Sequence, residues 1–450
     1  MPPREYGFFI LEHMKSVMTN SDSKLIKDIL DKSLDLQALT LKEISALIGL
    51  HDKTIWEEVF DAANRVKEKV YGKRVVLFAP LYLSNECMND CLYCGFRTGN
   101  KGAKRKSLTI DEAVQEAGLL SKKGYRRLLL VASEHAKITG VDYFEKVADA
   151  IYKNTDIRIL HANTAPMSVD DFRRLKASGI GVYQCFQETY HIPSYRYLHP
   201  TGTKSDYASR LAVMDRAIEA GFEDVGMGVL LGLYDWRWEV GALIAHSRRL
   251  INKYGFGPHT LSVPRLQPAE GSEVDFSKYR VSDEDLKKIV AIYRLALPYV
   301  GVVVSTRESA DLRDELLTVG ASQISAGSKT SPWGYMEKGD TEQFEIGDSR
   351  SLEEVMVKLS DMGLIPSLCT ACYREGRSGE QFRQLAQNEK MKKFCHDNAL
   401  LSLKEYVEDC CSDDVKENLE GLLKKEISKS SNGLINKMKL VEKGKRDVHS

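Results

Sequence analysis

Cys87, Cys91 and Cys94 place three thiols within eight residues, spaced C-x3-C-x2-C in the stretch "CMNDCLYCGF". Thiolates this close suit an iron–sulfur cluster or zinc. A four-iron cubane held by three cysteines leaves one iron without a protein ligand, which marks a reactive centre rather than a structural one. The other reading is a structural zinc ion with a distant fourth ligand. Asp90, inside the stretch, has no part in a thiolate site and reads as a loop residue. A second set lies near the other end: Cys369 and Cys372 form C-x2-C, and Cys395 follows after 22 residues. Here the choice is between a second cubane with an open iron and a zinc ion completed by Cys410, Cys411 or His396. Cys185 falls inside an apolar run and reads as a small buried hydrophobe.

Elements must carry these sets to one place each. Residues 1–72 read as a helical extension, with Thr40 and Glu43 spaced as a capping box. A strand–helix alternation follows. Eight apolar or β-branched runs, "RVVLFAPLYLS", "RLLLVAS", "IRIL", "GVYQCFQ", "DVGMGVLLG", "HTLSVPRL", "GVVVSTRE" and "SQISAG", are separated by amphipathic segments. One of these segments opens on a second capping box, Thr109 and Glu112. Repeated βα units imply a parallel sheet, and eight of them over residues 73–350 predict a closed (β/α)8 barrel of TIM type. The open doubly wound alternative lacks a G-x-G-x-x-G after its first strand. Residues 351–450 form a helical, cysteine-bearing tail whose polar, basic end is expected to fray. The first triplet follows the first strand directly, which places it at the carboxyl face where barrel active sites sit.

With 450 residues, 43% of them hydrophobic, the chain can bury a large core. Lys+Arg and Asp+Glu are both 64, so no basic stripe points to nucleic acid or an anionic membrane. No apolar run reaches about 18 residues, and the N-terminus lacks a signal-peptide pattern, so a cytoplasmic protein without a membrane span is expected. Nine cysteines in such a chain point to metal binding rather than disulfides.

The pattern C-x3-C-x-Φ-C after the first barrel strand, with Tyr93 as the aromatic residue, resembles the radical S-adenosylmethionine (SAM) superfamily. The resemblance implies a [4Fe-4S] cluster whose open iron chelates SAM and whose electron yields a 5′-deoxyadenosyl radical. It assigns Glu134, in "ASEH", to the methionine amino group, with Ser133 standing where the family has glycine. It assigns Glu188, in "FQETYH", to the SAM ribose and Arg210, in "DYASRL", to the SAM carboxylate.

The tail spacing C-x2-C-x22-C, with "GPHTLSVPRLQPAEGS", "STRES" and "FEIGDSRSLEE", resembles the tyrosine lyase family of [FeFe]-hydrogenase maturation over nearly the whole chain. The related tyrosine lyases of thiazole synthesis, which supply 2-iminoacetate, share the barrel and the first triplet but lack this tail. The closer resemblance implies cleavage of tyrosine to p-cresol and dehydroglycine (2-iminoacetate), then formation of CO and cyanide at an auxiliary [4Fe-4S] cluster carrying an extra iron. That iron would be held through a free cysteine and a histidine, for which His259 is the candidate. Arg265 is the candidate for the tyrosine carboxylate, with a buried structural ion pair as its alternative. Arg307 is a second substrate candidate. An electron donor such as ferredoxin or flavodoxin, and other hydrogenase maturases, are the implied partners. His259 precedes the sixth strand and Arg265 lies near its end. At 3.3 Å per residue this separates them by roughly 20 Å along the barrel axis. Two sites joined through the barrel interior are therefore expected.

Overall fold

All eight apolar runs form strands, and the computed structural model, which describes residues 23–337, 341–428 and 430–450, closes them into a barrel. The strands are β1 (Arg74–Ser84), β2 (Arg127–Ala132), β3 (Ile159–Asn163), β4 (Ile180–Gln184), β5 (Val225–Gly228), β6 (Thr260–Ser262), β7 (Gly301–Val304) and β8 (Gln323–Ser325). Every pairing is parallel, and β1 joins β8 on one side to β2 on the other. The strands are covered on both faces, and their outward residues supply the apolar part of each run. Both capping boxes form, Thr40 with Glu43 and Thr109 with Glu112. The helical expectation for residues 1–22 lies outside the described residues. The helices Ser23–Leu34, Leu41–Ile48 and Lys53–Tyr71 pack against the barrel helix Asp283–Ala296. No helix of the described residues is long and apolar enough to cross a membrane.

The barrel interior departs from the filled apolar core common to this architecture. Leu160, Ala162, Tyr183, Leu261 and Ile324 pack outward into the main hydrophobic core. Strand alternation then turns His161, Asn163, Gln184, Thr260, Ser262, Gln323 and Ser325 inward. Glycines make room for them: a Cβ at Gly226 would stand 2.6 Å from Gln184 Cγ and 2.8 Å from Thr260 Oγ1. These polar groups share the lumen with apolar side chains, among them Phe78, Leu129, Val131 and Val303.

A ninth strand was not expected. β9 (Ile365–Ser367) pairs in parallel with Arg74–Val76, the amino-terminal end of β1. β2 pairs only with Ala79–Ser84, so the first residues of β1 keep an open edge on that side, and β9 fills it. The strand leads directly into Cys369. The helix Leu352–Asp361, between β8 and β9, completes the eighth βα unit and lies past the division expected at residue 350.

The end of the chain does not fray. A helix covers Asn432–Glu442, and the residues after it fold back over the second cysteine set. Arg374 pairs with Asp447, His449 Nε2 lies 2.5 Å from Glu375 Oε1, and Ser450 N donates to Asn398 Oδ1 at 2.7 Å. Arg377 Nη2 donates to Ser450 O at 3.0 Å. Polar composition misled here because the partners are tertiary.

Candidate active site and second cysteine set

The loop after β1 holds its three cysteines by backbone contacts. Asn89 N and Phe96 N each donate to a thiol, Cys87 Sγ and Cys94 Sγ, at 3.4 Å. Met88 N donates to Glu134 O at 3.0 Å and Leu92 N to Leu198 O at 3.1 Å, which ties the loop to the end of β2 and to the helix Ile192–Leu198. Asp90 turns away and braces the loop, accepting from Arg97 Nε at 2.7 Å and Gly99 N at 2.8 Å. Burial pushes the Cys91 thiol far up and Cys94 up to about 11, and the neighbouring thiols add to both. All three line one cavity in the barrel mouth.

Tyr93, Glu134, Glu188 and Arg210 line the same cavity. Arg210 sits between the two carboxylates: Nη1 donates to Glu134 Oε1 at 2.6 Å and Nη2 reaches Glu188 Oε1 at 3.5 Å. Its Nε donates to Phe186 O at 2.7 Å. Burial opposes ionisation of both carboxyls, but Arg210 and Lys204 more than offset it and hold both below the usual range. Tyr93 Oη donates to His199 Nε2 at 2.9 Å, and His199 Nδ1 faces Tyr195 O at 2.7 Å, which fixes the ring's tautomer. Ser133, in place of the expected glycine, lines the cavity and donates from Oγ to Ser84 O at 3.1 Å, stitching β2 to β1.

Sequence reasoning missed Lys204 and Asn89. Lys204 Nζ donates to Glu188 Oε1 at 2.6 Å and lies 5.8 Å from the Tyr93 ring, facing the thiols. Asn89 Nδ2 donates to Glu134 Oε2 at 2.9 Å. The available signal for Lys204 was its place six residues before Arg210 in "TGTKSDYASR".

The two strand-end arginines part company. Arg265 does not line the cavity; its fork is occupied by Glu308, by Asp283 at 2.7 Å and by Val281 O at 3.0 Å. This is the structural ion pair held open as its alternative. Arg307 does line the cavity, lies 3.4 Å from the Phe344 ring centroid, and its guanidinium makes no hydrogen bond or ion pair among the described residues.

The second set sits at the opposite mouth. Cys369 follows β9, and Ala371 N donates to its Sγ at 3.4 Å. Burial, with Cys395 and Cys369, pushes the Cys372 thiol up to about 12. Arg74 and Arg377 stand beside the set, and Arg127 Nη2 donates to Cys369 O at 2.6 Å. His259 opens β6 at this end, buried, with its ring 4.4 Å from Phe382 and 5.8 Å from Tyr373. Its Nδ1 lies 3.1 Å from Asp224 Oδ1, not aligned as a hydrogen bond. Tyr373, next to Cys372, also packs on His161, whose buried Nε2 has no partner. His396 and Cys410 are engaged elsewhere, with Asp397 and Glu426 and with Arg126 respectively.

Among the described residues, no three or more His, Cys, Asp or Glu side chains close around a point that one metal ion could fill. At both sets the thiols raise one another's pKa, and a metal centre that took them as thiolates would relieve that penalty.

Comparison with known proteins agrees with this geometry. The sequence profile of the Radical SAM superfamily matches residues 81–244, and that of the Biotin and Thiamin Synthesis associated domain matches residues 262–365. The 2-iminoacetate synthase of Escherichia coli K12 is 33% identical over 339 residues, covering 75% of this chain and 88% of that one. A crystal structure of HydG, a maturase of the [FeFe]-hydrogenase, superposes with TM-score 0.94 at 40% identity over 98% of both chains. HydG from Carboxydothermus hydrogenoformans superposes with TM-score 0.87 at 38% identity, covering 98% of this chain and 100% of that one. A barrel mouth with three thiols and a likeness that extends through the tail place the chain in the radical SAM superfamily and, within it, in the HydG family.

Proposed function

We propose that this radical SAM lyase cleaves tyrosine at one mouth of its barrel and converts the small fragment to CO and cyanide at the other. The carrying observation is that β9 delivers Cys369 to the amino-terminal end of β1, while Cys87 follows its carboxyl end. Cys87, Cys91 and Cys94 would hold the first [4Fe-4S] cluster, which with SAM and one electron from a donor such as ferredoxin or flavodoxin supplies a 5′-deoxyadenosyl radical. Glu134 accepts the methionine amino group, Arg210 takes the carboxylate, and Glu188 takes ribose hydroxyls. Lys204 and Arg210 keep both carboxyls ionised for this task. Tyr93, fixed by His199, walls the site. Arg307 supplies the unpaired guanidinium for the tyrosine carboxylate, in place of Arg265.

Tyrosine divides into p-cresol and dehydroglycine without loss of atoms, the hydrogen atom removed being returned as a proton and an electron. Dehydroglycine, HN=CH–COOH, then divides into HCN, CO and water. The amide and hydroxyl groups of Asn163, Gln184, Thr260, Ser262 and Gln323 offer this polar fragment hydrogen bonds through the lumen. Cys369, Cys372 and Cys395 would hold the auxiliary cluster, and His259 Nε2, with a free cysteine, the extra iron. Products for hydrogenase assembly would leave from this mouth.

The cofactor half is tested by Arg210→Lys. A lysine cannot span Glu134, Glu188 and Phe186 O together. The KM for SAM should rise by about tenfold or more, the effect of losing one to two charge-assisted hydrogen bonds. The KM for tyrosine should stay near wild type. An unchanged KM for SAM would remove Arg210 from the cofactor site.

A further inference from the structure

Glu188 has an unusual backbone. Five described non-glycine residues have positive φ, namely Leu36, Glu188, Trp333, Glu389 and Asp447, and of these only Glu188, at 67°, lines the upper cavity. A residue with a Cβ stays in the left-handed region only when its surroundings over-determine it. The surroundings here are specific. Leu230 N donates to Glu188 O at 2.8 Å. The next two residues are tied to a single carboxyl: Thr189 Oγ1 donates to Glu239, and Tyr190 N donates to Glu239 Oε2 at 2.8 Å. Tyr190 is then held at two further points. Its Oη pairs with His246 Nδ1 at 2.9 Å, and its carbonyl accepts from Tyr207 Oη at 3.1 Å. Glu239 and His246 are two turns apart on one face of the helix Trp236–Tyr254.

Glu239 is fully buried and makes no ion pair among the described residues. A buried carboxyl without a cation is costly, and here its bonds go only to the strand-end segment behind Glu188. Burial raises Glu239 to about 7, although Thr189 and the Tyr190 amide work in the other direction. Yet Glu239 touches neither the thiols nor the cavity.

We propose that Glu239 is a positioning residue for SAM: by clamping Thr189 and Tyr190 from behind, it holds Glu188 left-handed, with its carboxylate turned onto Lys204 and Arg210 at the ribose position. This rests on the reading of Glu188 as a SAM contact. It adds the helix Trp236–Tyr254 to the elements that shape the cofactor site.

The test uses the anaerobically reconstituted full chain. Glu239→Gln keeps the shape but presents an NH2 to one of two donors, so one bond must be lost. The KM for SAM, and the SAM dissociation constant read from the reduced cluster's EPR signal, should rise roughly tenfold, the effect of one buried hydrogen bond. The KM for tyrosine should hold. Thr189→Val, which keeps the backbone bond and the fold, should act in the same direction if Glu239→Gln folds poorly. The double variant Glu188→Gln/Glu239→Gln should bind SAM no more weakly than Glu188→Gln alone, because both act through one contact. If Glu188→Gln itself leaves SAM binding unchanged, the ribose reading falls and the proposal with it. If Glu188→Gln weakens SAM but neither Glu239→Gln nor Thr189→Val does, or if the effects add in full, the ribose reading stands and the proposal alone is overturned.

Discussion

Cys372→Ala should separate the two halves of the reaction: p-cresol still forms from tyrosine, and CO and cyanide do not. Cys372 is packed against the lower mouth among Cys369, Cys395, Arg74 and Arg377, with no part in the upper cavity. Losing partners behind a metal ligand already costs roughly 10–100-fold, so losing a ligand should cost more. CO release should fall by at least about two orders of magnitude on that scale. The upper site shares no side chain with the lower one, and remote changes usually add within a few tenths of a kcal/mol, so p-cresol should stay within about a factor of two. Gas capture on a haem protein, with chromatography of p-cresol from the same vial, reads both. Parallel loss of p-cresol and CO would mean that the lower set serves the fold or the lyase step.

Arg307→Ala should weaken tyrosine use by about two orders of magnitude in kcat/KM, the effect of a lost bidentate contact to a carboxylate. Deoxyadenosine should then form without a matching amount of p-cresol, because SAM still binds. Burial lowers the Arg307 pKa, Tyr82, Glu188 and Glu308 work against this from a distance, and no carboxylate forms an ion pair with the guanidinium among the described residues. Arg307→Lys should recover only part, since an ammonium cannot grip both oxygens in one plane. Arg265→Ala behaves differently. It leaves Glu308, 1% exposed, without its main partner. That should cost about 3–5 kcal/mol of stability, seen as a lower Tm. The KM for tyrosine should change little. A strong tyrosine KM effect from Arg265→Ala with an unchanged Tm would reverse the assignment.

The contrast between these arginines shows what the sequence could carry. Both stand at strand ends, and the sequence favoured Arg265 over Arg307. Which one faces the lumen depends on Glu308, which lies 43 residues from Arg265 and meets it only in the closed barrel. The first triplet was legible because loop, strand and thiols are contiguous. The eight barrel strands were legible because their buried outward faces write short apolar or β-branched runs between amphipathic segments. β9 was not, because three residues with a proline at the centre carry no pattern. That strand exists only because β1 outruns β2 at one end. Lys204 and Asn89 were missed for a related reason. They sit in polar loops, and their carboxylate partners, Glu188 and Glu134, arrive from other strand ends. The mixed polar and apolar lining of the lumen was not foreseen, since the interior was expected only as a connection. Its composition follows from strand alternation once the outward residues are known.

The most direct test of the two-site account is the fate of tyrosine labelled with 13C throughout and 15N at the amino group. The full chain, reconstituted with iron and sulfide under anaerobic reduction, is given SAM and this tyrosine. Dehydroglycine carries its nitrogen on the α-carbon, so the account predicts labelled p-cresol, 13CO from the carboxylate carbon and 13C15N cyanide from the α-carbon. All three should depend on SAM, and the last two should vanish in Cys372→Ala. Labelled p-cresol accompanied by glyoxylate, the hydrolysis product of dehydroglycine, with no labelled CO from the intact protein, would contradict it.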